Sequence, residues 1–226
     1  MSSSPIVIYL DTSTVIDFCL PSERRHGAAE KLIEICGRYP TEIIVYTSTA
    51  AWTEAHGRIY EITLEKKEGI TREKLYSQNR SIKHANQPSR TLFPPRLDYL
   101  NETTNLLDEK YRDLERRCRF QELDPSSTGF LTWAREIAKY TAIYPFDSLH
   151  LALAIEFIAS FFVATDEQLI RRVQLPDCSD FIRKAIEDRT KYIDGAKPTL
   201  QAVPLVELAN LPTPSILTRL RQLGFT

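Results

Sequence analysis

Four carboxylates in this chain have the type and spacing to do chemistry: Asp11, Glu54, Asp147 and Asp166. Each stands near an element boundary. Asp11 follows the apolar run Pro5-Ile-Val-Ile-Tyr-Leu10, and Glu54 comes shortly after Glu42-Ile-Ile-Val-Tyr-Thr47. Asp147 opens an almost wholly apolar segment, and Asp166 follows Ser160-Phe-Phe-Val-Ala-Thr165. Acids held together repel, and their proton affinity rises unless a cation compensates. Oxygen donors without His or Cys favour Mg²⁺ or Mn²⁺ over zinc or copper. Beside a phosphate, such an ion activates water, neutralises charge on the phosphoryl oxygens and stabilises the leaving oxygen, which is the chemistry of phosphodiester hydrolysis.

The elements that must position these acids are legible. Continuous β-branched and aromatic runs suit strands buried on both faces, as in a parallel sheet. The three runs above meet that description. Gln201-Ala-Val-Pro-Leu-Val206 is a candidate fourth, confined to an edge by Pro204. Helical spacing lies between them, over Ser22–Tyr39 behind Pro21, from a Thr49 cap through Trp52, Ala55 and Ile59, over Leu100–Cys118, and from Asp147 to Ala159 behind Pro145. Strands alternating with helices predict an α/β fold, a mainly parallel sheet covered on both faces. In such sheets ligands bind outside the carboxyl ends of the strands. Asp11 and Glu54 belong to that edge. A helix of about 13 residues from Asp147 runs about 20 Å back across the sheet, and the next strand returns to deliver Asp166. All four acids then converge.

Composition bounds the alternatives. The 226 residues are 42% apolar and 26% charged, ordinary for one globular domain with an embellishment. There are 13 prolines and only 7 glycines, with no GxGxxG or GxxxxGK[ST] string to cradle a nucleotide. Cys19, Cys36, Cys118 and Cys178 form no CxxC pair and read as free thiols of a reducing compartment. No signal-peptide pattern opens the sequence, and no apolar run reaches a membrane span; the expectation is a cytoplasmic protein with no membrane association. The net charge of −1 announces no nucleic-acid binder globally, yet phosphate affinity is decided locally. The stretch from about 66 to 130 has no clear strand and reads as a helical insertion. Within it, Arg72, Lys74, Arg80, Lys83, Arg90 and Arg96 face the single acid Glu73. That stretch is either a solvated, loop-rich surface or, with Tyr76 and Phe93 to stack on bases, part of an RNA groove.

The motifs resemble those of the PIN-domain family. Leu10-Asp11-Thr12-Ser13-Thr14-Val15-Ile16 looks like its opening motif and Thr47-Ser-Thr-Ala-Ala-Trp-Thr-Glu54 like its second. Asp147-Ser-Leu-His-Leu-Ala-Leu-Ala154 resembles the third, and Phe162-Val-Ala-Thr-Asp166 the fourth. The resemblance spans roughly residues 5–60 and 135–175. It implies a three-layer α/β/α sandwich and a Mg²⁺- or Mn²⁺-dependent ribonuclease like the VapC-type toxins of toxin–antitoxin pairs. RNA would be the substrate, an antitoxin a partner, and a homodimer the expected assembly. Asp11 and Asp147 would be the principal metal ligands, with Asp166 and Glu54 completing the pocket. Ser13 would hydrogen-bond near the metal, and Thr165 would orient the neighbouring acid. Two features depart from small toxin-type members: the long stretch between Glu54 and Asp147, and a C-terminal extension over 180–226.

Other readings compete. A PIN fold with an idle acidic site would serve as an RNA- or protein-binding module. A haloacid-dehalogenase-like hydrolase would want Asp where Ser13 stands, and a receiver domain wants paired early acids and a late strand-end Lys that are not found. Asp166 is also placed to cap the helix after it, and Asp17 reads as a surface or helix-face acid. His150, three positions after Asp147 on one helix face, reads as a packed or hydrogen-bonded histidine. His26, His56 and His84 show no ligand spacing. Thr213-Pro214 opens a tail helix with Ile216, Leu217, Leu220 and Leu223 on one side, suited to docking on the chain's own core or a sister subunit.

Overall fold

The computed structural model describes residues 5–74, 96–125, 128–190, 200–205 and 209. Five parallel strands form one sheet, β1 (Ile6–Leu10), β2 (Ile43–Ser48), β3 (Phe120–Leu123), β4 (Phe161–Ala164) and β5 (Gln201–Pro204), in the order β3-β2-β1-β4-β5. The helices are α1 (Thr12–Cys19), α2 (His26–Arg38), α3 (Thr49–Glu68), α4 (Leu97–Arg117), α5 (Thr128–Thr141), α6 (Pro145–Glu156), α7 (Glu167–Gln174) and α8 (Pro176–Thr190). The fold is α/β, a three-layer α/β/α sandwich.

Alternation along each strand builds the two outer interfaces. Ile6, Ile8, Leu10, Ile43, Val45, Phe161, Val163 and Val203 point into a core shared with α1–α4. Tyr9, Leu123, Phe162, Ala164 and Ala202 point into the opposite core, shared with α5–α8. Because both faces are covered, strand residues of either parity are apolar, which is why these segments read as continuous hydrophobic runs.

The chain runs β1 to β2 to β3 toward one edge, then returns to β4 on the other side of β1. The crevice at the carboxyl end of the sheet therefore opens between β1 and β4. Hydrogen bonds lace this edge. The Leu10 carbonyl accepts from Thr47 Oγ1 at 3.0 Å, and the Val163 carbonyl accepts from Asp11 N at 2.9 Å and Thr14 Oγ1 at 3.0 Å.

Several boundaries differ from the sequence expectation. The helix expected from Ser22 starts at His26, after a turn. Ser48, not Thr49, caps α3 by accepting from Ala51 N at 3.1 Å. Leu97 rather than Leu100 begins α4, and Pro145 sits inside the first turn of α6 rather than before it. The stretch read as a helical insertion contributes β3, whose four residues pair with Val45–Ser48 of β2. Its Phe-Gln-Glu-Leu sequence is too short and too polar to signal a buried strand; it is an edge strand, where half-polar character is tolerated. The C-terminal extension is likewise not an appendage throughout, since α8 packs on α5, α6 and α7 and β5 pairs with β4. Pro204 does lie on an edge strand, as expected. The tail helix from Thr213 falls outside the described residues. No helix among those described is long and apolar enough to cross a membrane.

Candidate metal centre

Asp11 ends β1 and caps α1. Its Oδ2 accepts from Ser13 N at 3.1 Å and Ser13 Oγ at 2.8 Å, satisfying a donor of the first helical turn. The side chain is 4% exposed, and both bonds fall on Oδ2. Ser13 Oγ also accepts from Thr165 N at 2.9 Å. One hydroxyl thus ties the β1–α1 turn to the end of β4 and draws Asp11 toward the segment that carries Asp166.

Asp166 caps α7 as its alternative reading had it, with Oδ1 accepting from Gln168 N at 2.8 Å and Leu169 N at 3.1 Å. Capping by one oxygen leaves the other outside these bonds, so the two roles are compatible. Thr165 bonds Ser13 through its backbone and Asp17 through its side chain. Asp17, in turn, is buried at 7% exposure rather than on the surface. Burial pushes its carboxyl up, against the Thr165 bond and the charge of Arg25.

Asp147 sits in the first turn of α6, where the helix dipole favours negative charge. Its carboxyl is nevertheless pushed up to about 6, by burial first and then by the charges of Asp11, Glu54 and Asp166, with His150 opposing. Glu54, in the second turn of α3, goes the other way. A hydrogen bond from His150 is the largest cause, joined by one from Thr12 and by the charges of His150 and Arg72, and together they outweigh burial and hold it below the usual carboxylate range. The four acids are thus electrostatic neighbours. Among the described residues no group of three or more His, Cys, Asp or Glu side chains closes into a ready-made cage for an ion.

Behind Glu54 lies a buried polar chain that sequence reading missed except for His150. Thr12 Oγ1 donates to Glu54 Oε2 at 2.5 Å and lies 3.0 Å from His150 Nε2, which is itself 3.3 Å from Glu54 Oε2. On the far side, His150 Nδ1 lies 3.0 Å from the Tyr9 hydroxyl, which also reaches Ser48 Oγ at 3.0 Å. His150 is fully buried. Burial alone would depress its imidazolium, but the Glu54 bond and the charges of Asp11, Glu54 and Asp147 outweigh it, and the net shift is upward. The signal for this chain was present as polar residues inside apolar segments: Tyr9 in a strand, Ser48 at a strand end, His150 in an apolar helix.

Of the basic residues read as an RNA surface, Arg72 has Nε 3.4 Å from Glu61 Oε2 and is near enough to Glu54 to lower its carboxyl. Arg96 Nη2 pairs with Glu68 Oε1 at 2.5 Å and its guanidinium lies over the Tyr99 ring. Lys74 is exposed, with its backbone N 3.4 Å from Thr71 Oγ1. Arg80, Lys83 and Arg90, with Tyr76 and Phe93, lie outside the described residues.

The donors present fit a hard divalent cation. They are carboxylate oxygens without thiolates, Asp11 Oδ1 and Glu54 Oε1 stand outside the bonds above, and Asp147 is pushed up by burial and then by the neighbouring acids, a cost that a cation relieves. No protein-family model matches the chain, and no curated protein is significantly similar to it in sequence.

Proposed function

We propose that the chain is a PIN-type ribonuclease, a Mg²⁺- or Mn²⁺-dependent phosphodiester hydrolase acting on RNA. The observation that carries this reading is the coupling of Asp147 to Asp11, Glu54 and Asp166 at the crevice between β1 and β4. Structural carboxylates are ordinarily paired with cations of the protein; Asp147, pushed up by burial and by the charges of three other acids, is costly to ionise, and a site for a bound cation explains it. The order of the motifs along the chain supports the PIN assignment.

Asp11, Asp147 and Asp166 would hold the metal, with Glu54 supporting it or an attacking water. A divalent ion bound there supplies charge neutralisation at the phosphoryl oxygens and a more acidic water. The chain's own part is orientation. Ser13 fixes Asp11 through Oδ2 and ties it to β4, Thr12 and His150 fix Glu54, and the α7 N-terminus fixes Asp166. Arg72, whose charge reaches Glu54, would be the basic residue to meet a phosphate. Four buried, unpaired cysteines suit a reducing compartment and support cytoplasmic residence. A masking antitoxin and a homodimer belong to the same proposal.

The test is single-turnover cleavage of RNA by purified protein in Mn²⁺, Mg²⁺ and EDTA, with Asp11→Asn and Asp147→Asn in parallel. Metal-dependent cleavage lost in both variants is expected. Cleavage that survives both substitutions removes the site, and cleavage by none of the proteins favours the idle binding module.

A further inference from the structure

We propose that His150 is a positioning residue that, with Thr12 and Tyr9, clamps Glu54 by one oxygen and presents the other to the acidic crevice; this rests on the metal-site reading above. A carboxylate only accepts hydrogen bonds. Both bonds to Glu54 fall on Oε2, from Thr12 Oγ1 at 2.5 Å and His150 Nε2 at 3.3 Å. Nε2 must therefore carry a proton, whatever the state of Nδ1. Glu54 Oε1 stands outside this clamp.

The clamp is anchored from behind. Tyr9 lies in the middle of the sheet, fully buried and stacked on Phe162 with ring centroids 5.8 Å apart. Burial pushes its phenol well up, so its single proton stays on oxygen. That hydroxyl sits 3.0 Å from His150 Nδ1 and 3.0 Å from Ser48 Oγ. Ser48 in turn caps α3, the helix that carries Glu54. The chain Ser48–Tyr9–His150–Glu54 thus closes on one helix, fixing both its first turn and its acidic side chain against β1, α1 and α6. Glu54 is 41% exposed and has three side-chain rotors; without the clamp its carboxylate would be ordered only on binding. Outer partners of this kind typically matter to metal affinity or activity by about 10- to 100-fold.

The experiment is calorimetric titration of Mn²⁺ into wild type, Asp11→Asn, His150→Gln, His150→Asn and Tyr9→Phe, each checked for fold by circular dichroism. Gln reaches the Nε2 position with an N–H donor, whereas Asn reaches only the Nδ1 position. The two are similar in polarity and size, so a merely structural role would not separate them. We expect Asp11→Asn to abolish binding, His150→Asn to weaken it by about 10- to 100-fold, and His150→Gln to restore most of that loss. Tyr9→Phe should fall between Gln and Asn. Equal affinities for Gln and Asn, or an Asn variant that binds like wild type, overturn the clamp while leaving the metal site standing. Wild type that binds no Mn²⁺ overturns the metal site and the clamp with it.

Discussion

Replacing Asp147 by Asn should stabilise the metal-free protein at neutral pH and cost it the response to metal. In the folded chain the Asp147 carboxyl is pushed from its ordinary 3.8 to about 6, chiefly by burial and the charge of Asp11. A group raised on folding favours the folded state when protonated. Its contribution is fully present below about 3.8 and is lost as pH climbs through about 6, after which the folded protein carries an unfavourable charge. At about 1.4 kcal/mol per pH unit the whole effect is roughly 3 kcal/mol, which partial exposure reduces to about 1–1.5 kcal/mol. The Asn variant escapes this at pH 7.5, so its melting temperature should rise by about 2–6 °C. At pH 3.8 the two proteins should be close to equal. With Mn²⁺ at ten times its Kd, wild type gains about 1.4 kcal/mol by linkage and the variant much less, closing or reversing the gap. Differential scanning fluorimetry from about pH 3.5 to 8, with EDTA or Mn²⁺, measures all of this. A difference that is flat in pH, or equal stabilisation of both proteins by Mn²⁺, would refute the reasoning.

Three further outcomes are expected. Ser13→Ala removes the hydroxyl shared by Asp11 and Thr165 and leaves the Thr165 N–H without its partner; urea unfolding should show a loss of about 1–3 kcal/mol. Asp17→Asn should raise the melting temperature, and by more as pH rises, because burial penalises the charged form of this carboxyl; an unchanged or lower value at pH 8 contradicts that. Gly37→Ala would set a Cβ 2.3 Å from the Arg117 carbonyl oxygen, wedging α2 from the end of α4, and chemical denaturation should report a cost of about 1–3 kcal/mol.

The central strands and their helices were legible because burial on both faces leaves unbroken apolar runs, as in Ile6–Leu10 and Phe161–Ala164. That same logic hid β3. An edge strand needs only one dry neighbour, so Phe-Gln-Glu-Leu carries no such run. Asp11, Asp147 and Asp166 were legible as acids at element boundaries, and strand direction sufficed to bring them to one edge. Thr12 was invisible as a partner of Glu54 because their 2.5 Å bond joins α1 to α3 across the fold, and no local period encodes it. Thr165 was placed near the site, but its bond to Asp17 carries no local signal, because the burial of Asp17 depends on how α1 sits against β4.

The position of β1 has a consequence for how the molecule is made. β1 is the first of the described strands, yet it is sandwiched between β2 and β4, and Ser160 bonds Val7 across 153 positions. A ribosome must therefore deliver the 153 positions from Val7 to Ser160 before the middle of the sheet can close. Until β4 emerges, Asp11 has neither Thr165 nor Asp166 beside it. No nascent fragment ending short of that strand can assemble the acidic crevice, so whatever the crevice does begins only after β4 has been made.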